Sequence, residues 1–185
     1  MPLALWALTI SAFAVGTTEF VIVGLLPTIA ADLGVSIPSA GLLVSLYALG
    51  VTIGAPVLTA MADRVPRKTL LLLLLALFTL GNAYAAFAPD YGSLVAARFI
   101  TGLAHGVFFA IASTIATDLV EPEKESSAIA LVFLGLTVAL VTGVPLGTFI
   151  GQNFGWQSTF LGVVALGVIG SIASAILVPA NLTKA

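Results

Sequence analysis

The sequence contains no cysteine, a single histidine and few charged residues. Of its 185 residues, 8% are Asp, Glu, Lys or Arg, while 60% are hydrophobic. Without cysteine there are no disulfides or thiolate ligands, and one histidine gives a metalloenzyme site too few ligands, so we expect no metal and no cofactor. The net charge of -2 is too small to indicate a nucleic-acid partner. This composition is typical of a protein whose solvent is lipid.

Six apolar stretches, each long enough to cross a bilayer core of about 30 Å, are separated by short polar breaks. Because backbone polar groups find no water inside a bilayer, we expect each stretch to be an α-helix. The first lacks a basic segment before it, so we interpret it as a transmembrane helix and not as a signal peptide. The predicted helices are Leu3 to Ala31, Ser39 to Ala62, Thr69 to Ala88, Gly92 to Thr117, Ala128 to Ile150 and Ser158 to Val178.

Basic residues occur on one set of loops only. Five Lys or Arg residues lie on the loops of one side, and the opposite loops have none. Because positively charged loops stay in the cytoplasm, both termini are predicted to be cytoplasmic. An even number of helices also requires both termini to lie on the same side. The five residues are Arg64, Arg67, Lys68, Lys124 and Lys184.

One internal correspondence links the two halves of the sequence. The tripeptide Gly54-Ala55-Pro56 in helix 2 matches Gly143-Val144-Pro145 in helix 5, at an offset of 89 residues. Chance and an inverted repeat of three helices both account for this match. We expect a single six-helix bundle over residues 1–185, built from repeat units of about 1–90 and 91–185 with opposite topology.

Three segments resemble motifs of the major facilitator superfamily. Residues 59–71 are similar to motif A, although Thr59, Met61 and Pro66 replace its usual Gly, Leu and Gly. Residues 94–102 are similar to motif B, and the start of helix 6 resembles the string G-W-R-x-x-F, with Gln157 in place of Arg. The order of these motifs makes the resemblance more specific than any single string. The chain most resembles the sugar- and drug-efflux branch, the arabinose-efflux-permease-like proteins. Residues that match the charged core of motif A are Asp63, Arg64, Arg67 and Lys68.

This resemblance implies a transporter in the bacterial inner membrane, of the drug:proton antiporter type. Its expected activity is proton-coupled efflux of a small solute, such as a sugar or drug. Family members usually have two six-helix bundles, so a second bundle is expected as partner. It is either another copy, with helix 2 of one against helix 5 of the other, or a missing C-terminal half. The alternative is an inactive truncated fragment or a regulatory half. We do not expect an enzyme, since neither a G-x-S-x-G string nor a nucleotide-binding loop occurs.

Three polar residues inside the apolar stretches are candidates for binding protons or substrate. Glu19 is the acidic residue at mid-depth, where a carboxylate normally faces an interior cavity. It is either a protonatable coupling site or a structural partner of Arg98, from which it differs in depth by about 7 Å. His105 shares a face of helix 4 with Arg98 and is either a proton carrier or a satisfied hydrogen-bonding residue. That face is expected to line the cavity.

Two further groups of residues are candidates for gating and packing. The resemblance implies that Arg67 pairs with an acid at the end of helix 4, for which Asp118 fits by position, as a latch that opens in one state. A double-mutant cycle with the two charges exchanged tests this pairing. Glycines spaced four apart in helix 5 resemble the antiporter motif C, which favours export, and plain helix packing explains them equally well. We expect this face to be available to a partner bundle. The residues are Gly143, Pro145, Gly147 and Gly151.

Overall fold

The protein is a bundle of six membrane-spanning helices. The computed structural model describes residues 1–62 and 64–182, and over these residues it contains no strand. All six helices include a segment long and apolar enough to cross a membrane, which confirms the predicted fold class. The helices are α1 (Leu3–Leu33), α2 (Ile37–Ala62), α3 (Arg67–Ala86), α4 (Tyr91–Asp118), α5 (Pro122–Phe154) and α6 (Trp156–Leu177).

Most helix ends lie a few residues outside the predicted apolar stretches, because the helices include residues of the flanking polar breaks, such as Asp32, Arg67 and Asp118. Helix α1 continues to Leu33 and ends where Gly34 adopts φ +65°, with the Gly34 N–H donating to the carbonyl of Ala30. Gly155, at φ +89°, separates α5 from α6. Both positions require a backbone conformation that side chains disfavour, so glycine sets these two boundaries.

Helix α4 begins with a side-chain cap. The Asp90 carboxylate accepts a hydrogen bond of 2.7 Å from the backbone N–H of Ser93. This hydrogen bond stabilises the ionised carboxylate and lowers the pKa of Asp90 below its usual value. The cap therefore fixes the start of the helix that carries two of the candidate site residues.

Helix α5 is not a uniform α-helix. Pro145 has no N–H to donate, and its ring would collide with the carbonyl of Val141 one turn earlier. A π-helical turn just before the proline relieves this conflict. Helix α2 carries Pro56 in the matching tripeptide but stays α-helical there. The two matching tripeptides therefore differ in backbone geometry. The parts of α5 are Pro122–Lys124, Glu125–Val138, the π-helical Ala139–Gly143, and Val144–Phe154.

The main helix contacts join the first half of the chain to the second half. Helix α2 lies along α4, and α5 lies along α1. Helix α3 contacts α4 and α6, and α6 also contacts α1. This arrangement relates α1, α2 and α3 to α4, α5 and α6. The repeat units of about 1–90 and 91–185 stay a prediction.

The regularly spaced glycines of α5 face α1, inside the bundle. A Cβ at any of the three would come too close to a side chain of α1. The structure thus supports helix packing as their role, and the prediction that this face is available to a partner bundle is wrong. Pro145, beside them, is exposed. The contacts pair Gly143 with Thr17, Gly147 with Val21, and Gly151 with Leu25.

Candidate proton and substrate site

Arg98 lies buried between α1, α2 and α4, with 1% of its surface exposed. Its guanidinium donates to the backbone carbonyls of Thr18 at 2.9 Å, and of Leu43 and Glu19 at 3.5 Å. It also lies 4.1 Å from the centre of the Tyr47 ring. Carbonyl dipoles and an aromatic face therefore stabilise this charge. The prediction that Arg98 lines a cavity is wrong, because α2 packs directly over it.

The Glu19 carboxylate lies at the edge of this network. Its side chain is 28% exposed, and Oε2 lies 3.7 Å from Nε2 of His105. No ion pair in residues 1–62 and 64–182 joins Glu19 to Arg98. The backbone carbonyl of Glu19, and not its carboxylate, meets the guanidinium. The two side chains therefore form no direct ion pair, and the carboxylate lies beside the imidazole.

His105 connects the buried network to the surface of the bundle. Its Nδ1 lies 2.9 Å from the hydroxyl oxygen of Tyr47. Its ring packs on Phe109 with 5.1 Å between ring centres, and Phe109 lies 5.0 Å from the ring of Phe133 on α5. Glu19, Phe109 and Phe133 are partly exposed and form a surface that we call the open face. The carboxylate and two aromatic rings are thus available there to a solute or a second bundle.

Sequence reasoning missed three members of the network: Tyr47, Thr18 and Asn82. The Thr18 hydroxyl donates to Oδ1 of Asn82 at 2.6 Å, and Nδ2 of Asn82 donates to the carbonyl of Phe78 at 2.8 Å. The network therefore extends from α4 through α1 to α3. In the described part of the chain, every buried side-chain nitrogen and oxygen has a partner. An asparagine and a tyrosine inside apolar stretches were the available signals, because polar groups in a membrane need partners.

The residues that resemble motif A lie at the ends of α2, α3 and α4. Arg67 donates to the carboxylate of Asp118, so the structure brings this predicted pair together. Nζ of Lys68 donates to the carbonyl of Ala175 near the end of α6, at 2.7 Å. Arg64 is exposed. Asp63 lies outside the described residues, and the role of the Arg67 pair as a latch stays a prediction.

The segment that resembles G-W-R-x-x-F ties α6 to the end of α1. Nε1 of Trp156 donates to the Asp32 carboxylate at 2.8 Å, and the side-chain amide of Gln157 donates to the same oxygen at 3.3 Å. Trp156 is buried, with 1% exposed. Where the motif has arginine, this chain has a neutral donor, so hydrogen bonds join these two helices here.

Comparison with known proteins identifies relatives among bacterial transporters. The chain is 57% identical over 181 residues to the uncharacterized MFS-type transporter YtbD of Bacillus subtilis, covering 98% of this chain and 46% of that protein. It is 47% identical over 169 residues to the inner membrane transport protein YdhP of Escherichia coli, covering 91% and 43%. It is 40% identical over 178 residues to the chloramphenicol resistance protein of Streptomyces lividans, covering 93% and 45%. The chain thus spans less than half the length of these relatives.

A solved structure shows the same fold. The crystal structure of the peptide transporter POT in complex with sulfate matches with a TM-score of 0.86, covering 98% of this chain and 39% of that chain, at 16% identity. Six apolar helices and bacterial membrane-transport relatives confirm the predicted multi-pass location in the cell membrane. The family described as the Major Facilitator Superfamily matches residues 8–185. The chain belongs to the major facilitator superfamily and corresponds to the N-terminal half of its relatives.

Proposed function

We propose that the chain is one half of a secondary active transporter that exports a small solute, such as a sugar or drug, in exchange for protons. The Glu19 carboxylate is the observation that carries this proposal. It lies inside a membrane-spanning helix, is 28% exposed at the open face, and has His105 as its nearest charged or titratable contact. A carboxylate is expensive at this depth and is normally retained there for function. Relatives named as transporters, and one named for chloramphenicol resistance, support transport and export.

Proton exchange at Glu19 would change the charge beside a candidate solute site. The ionised carboxylate attracts the imidazole of His105, and protonation removes this attraction. The ring of Phe109 packs on that imidazole and continues to Phe133 at the open face. A solute held against these rings would therefore lie close to the Glu19 carboxylate. Its affinity would differ between the protonated and ionised carboxylate, and this difference is what coupling requires.

Flux measurements in proteoliposomes test the proposal. With chloramphenicol as the first probe, a proton gradient should drive accumulation by the parent chain. Glu19→Gln keeps the shape of the side chain and removes its titration, so it should abolish gradient-driven accumulation. Glu123→Gln, the same change at an exposed loop position, is the matched control and should transport like the parent. Accumulation by Glu19→Gln equal to that of the parent would show that Glu19 does not bind the coupling proton.

The proposal includes a second six-helix bundle, which we take to be a second copy of this chain. Helix α2 exposes a strip of small residues, Ser45, Ala48 and Thr52, beside the larger apolar side chain of Leu49. Small residues permit close helix approach inside a membrane, whereas large apolar side chains suit lipid. On α5, Thr137 is exposed one turn after Phe133 of the open face. These positions of α2 and α5 remain available after the bundle has formed, unlike the glycines of α5.

Introduced cysteines test this assembly in a chain that has none of its own. Thr52 lies 12 residues from Arg64, and Thr137 lies 13 residues from Lys124, so both lie at about the same depth. Thr52→Cys with Thr137→Cys should crosslink two copies in membranes. Leu80→Cys on α3, 68% exposed and outside the proposed interface, is the control and should give no crosslink. A monomer without the crosslink, and without flux, would favour the alternative of a fragment that needs its C-terminal half.

A further inference from the structure

Tyr47 lies at the centre of the buried network. It is 2% exposed, and the Arg98 guanidinium lies 4.1 Å from its ring centre. The ring meets the imidazole of His105 at an angle of 88°, with 5.7 Å between ring centres. In the part of the chain that the structure describes, Nδ1 of His105, at 2.9 Å, is the hydrogen-bond partner of the Tyr47 hydroxyl. The guanidinium thus packs over the Tyr47 ring, and the imidazole is hydrogen-bonded to the Tyr47 hydroxyl.

The hydrogen bond between the Tyr47 hydroxyl and Nδ1 indicates which nitrogen of His105 carries the proton. A buried hydroxyl hydrogen needs an acceptor, and the unprotonated Nδ1 provides one. The proton of a neutral imidazole is then on Nε2, which lies 3.7 Å from Oε2 of Glu19. If Nδ1 were protonated it would donate to the Tyr47 oxygen, and the hydroxyl hydrogen would have no acceptor among the described residues. The geometry therefore favours a neutral imidazole with its proton on Nε2.

We propose that Tyr47 is a positioning residue that fixes His105 in the tautomer with its proton on Nε2. In this tautomer the proton is on Nε2, the ring nitrogen that lies 3.7 Å from Oε2 of Glu19, so this nitrogen has no free lone pair. His105 therefore stabilises the ionised carboxylate and does not accept the proton of Glu19. The charged and titratable groups that face His105 are Glu19 from α1, Tyr47 from α2 and Arg98 from α4. Helix α5 contributes Phe133, through Phe109.

This tautomer assignment gives the neighbouring side chains of Glu19 and His105 different roles. In the proposed function Glu19 changes its protonation, whereas His105 keeps its proton on Nε2, 3.7 Å from Oε2 of Glu19. The consequence for coupling rests on the proposed function, whereas the tautomer is a property of the bundle alone. The two can therefore be tested by separate measurements.

Nitrogen NMR of the chain in lipid bilayers tests the tautomer directly. His105 is the single histidine of the sequence, so ¹⁵N-labelled histidine reports on this residue without assignment ambiguity. The parent should show an unprotonated Nδ1 and a protonated Nε2. Tyr47→Phe keeps the ring beneath Arg98 and removes the hydroxyl. The ratio of the two neutral tautomers should then fall by about fivefold to tenfold, the factor that one net hydrogen bond provides.

Tyr84→Phe is the matched control, because Tyr84 is 49% exposed on α3 and away from His105. It should leave the histidine signals as in the parent. A protonated Nδ1 in the parent would overturn the proposal even if Tyr47→Phe failed to fold. A folded Tyr47→Phe variant with the parent's tautomer ratio would also overturn it. Failure of Glu19→Gln to affect flux would instead reject the proposed function and leave the tautomer assignment intact.

Discussion

The contact between α2 and α4 and the contact between α1 and α5 are both rich in glycine, but they are built differently. Between α2 and α4, a Cβ on each of four glycines would collide with backbone atoms of the neighbouring helix. Between α1 and α5, a Cβ would mostly meet side chains, with Gly135 against the Thr9 carbonyl as the exception. The first group is Gly50, Gly54, Gly102 and Gly106; the second is Gly16, Gly24, Gly143, Gly147 and Gly151.

This difference separates a fixed contact from an adjustable one. A side chain can rotate away from an added methyl group, whereas the backbone of a packed helix cannot move without its neighbours. The α2 and α4 contact holds Tyr47, Arg98 and His105, whose hydrogen bonds require a constant helix separation. The α1 and α5 contact includes the π-helical turn, and we expect it to tolerate a change of shape. In the predicted repeat units the two contacts occupy corresponding places, and we expect them to differ in stiffness.

The largest effect is expected for Gly102→Ala. The added methyl group would collide with the carbonyl oxygen of Tyr47 and push α2 away from α4. We expect a loss of about 2–3 kcal/mol in the free energy of unfolding, the upper range for overpacking. Gly41→Ala on α2 is the control, because nothing lies within 4 Å of its Cβ. Detergent-mediated unfolding followed by circular dichroism measures both, and equal stabilities would refute the fixed contact.

A smaller effect is expected for Gly147→Ala. Its Cβ would lie 2.8 Å from Cγ2 of Val21 and 3.2 Å from Cγ2 of Thr159, which are side-chain atoms and not backbone atoms. The better helix propensity of alanine offsets part of the strain. The same unfolding measurement should therefore show a loss of about 1 kcal/mol or less. A loss as large as that of Gly102→Ala would mean that the two contacts are equally rigid.

The smallest effect on stability is expected for Pro145→Ala. The side chain is exposed, and alanine would restore the missing N–H donor. The free energy of unfolding should change by less than about 1 kcal/mol. Amide hydrogen exchange over Ala139–Gly143 should become slower as this turn returns toward α-helical geometry. Pro56→Ala is the matched control in α2, where no π-helical turn exists, and unchanged exchange over Ala139–Gly143 in Pro145→Ala would show that the proline does not cause it.

The sequence predicted the number and type of helices because apolar length alone determines them in a membrane. It also singled out Glu19 and Arg98, since charges inside apolar stretches are rare. It could not predict that Glu19 faces His105, because that contact depends on how each helix is rotated about its axis. The glycines of α5 show the same limit. Their spacing predicted close approach to some helix, and only the packing shows that this helix is α1.

The hydrogen bonds between Asp32 and the start of α6 have a mechanical consequence. At about 1.5 Å per residue, the 31 residues of α1 extend about 46 Å, well beyond a bilayer core of about 30 Å. The hydrogen bond from Trp156 attaches the end of α1 to α6, and the glycine contact attaches α1 to α5 along much of the helix. If α1 pivots at its middle by about 10°, each end sweeps about 4 Å. Because α5 and α6 are attached to it, we expect a pivot of α1 to displace the bundle in opposite directions on the two sides of the membrane.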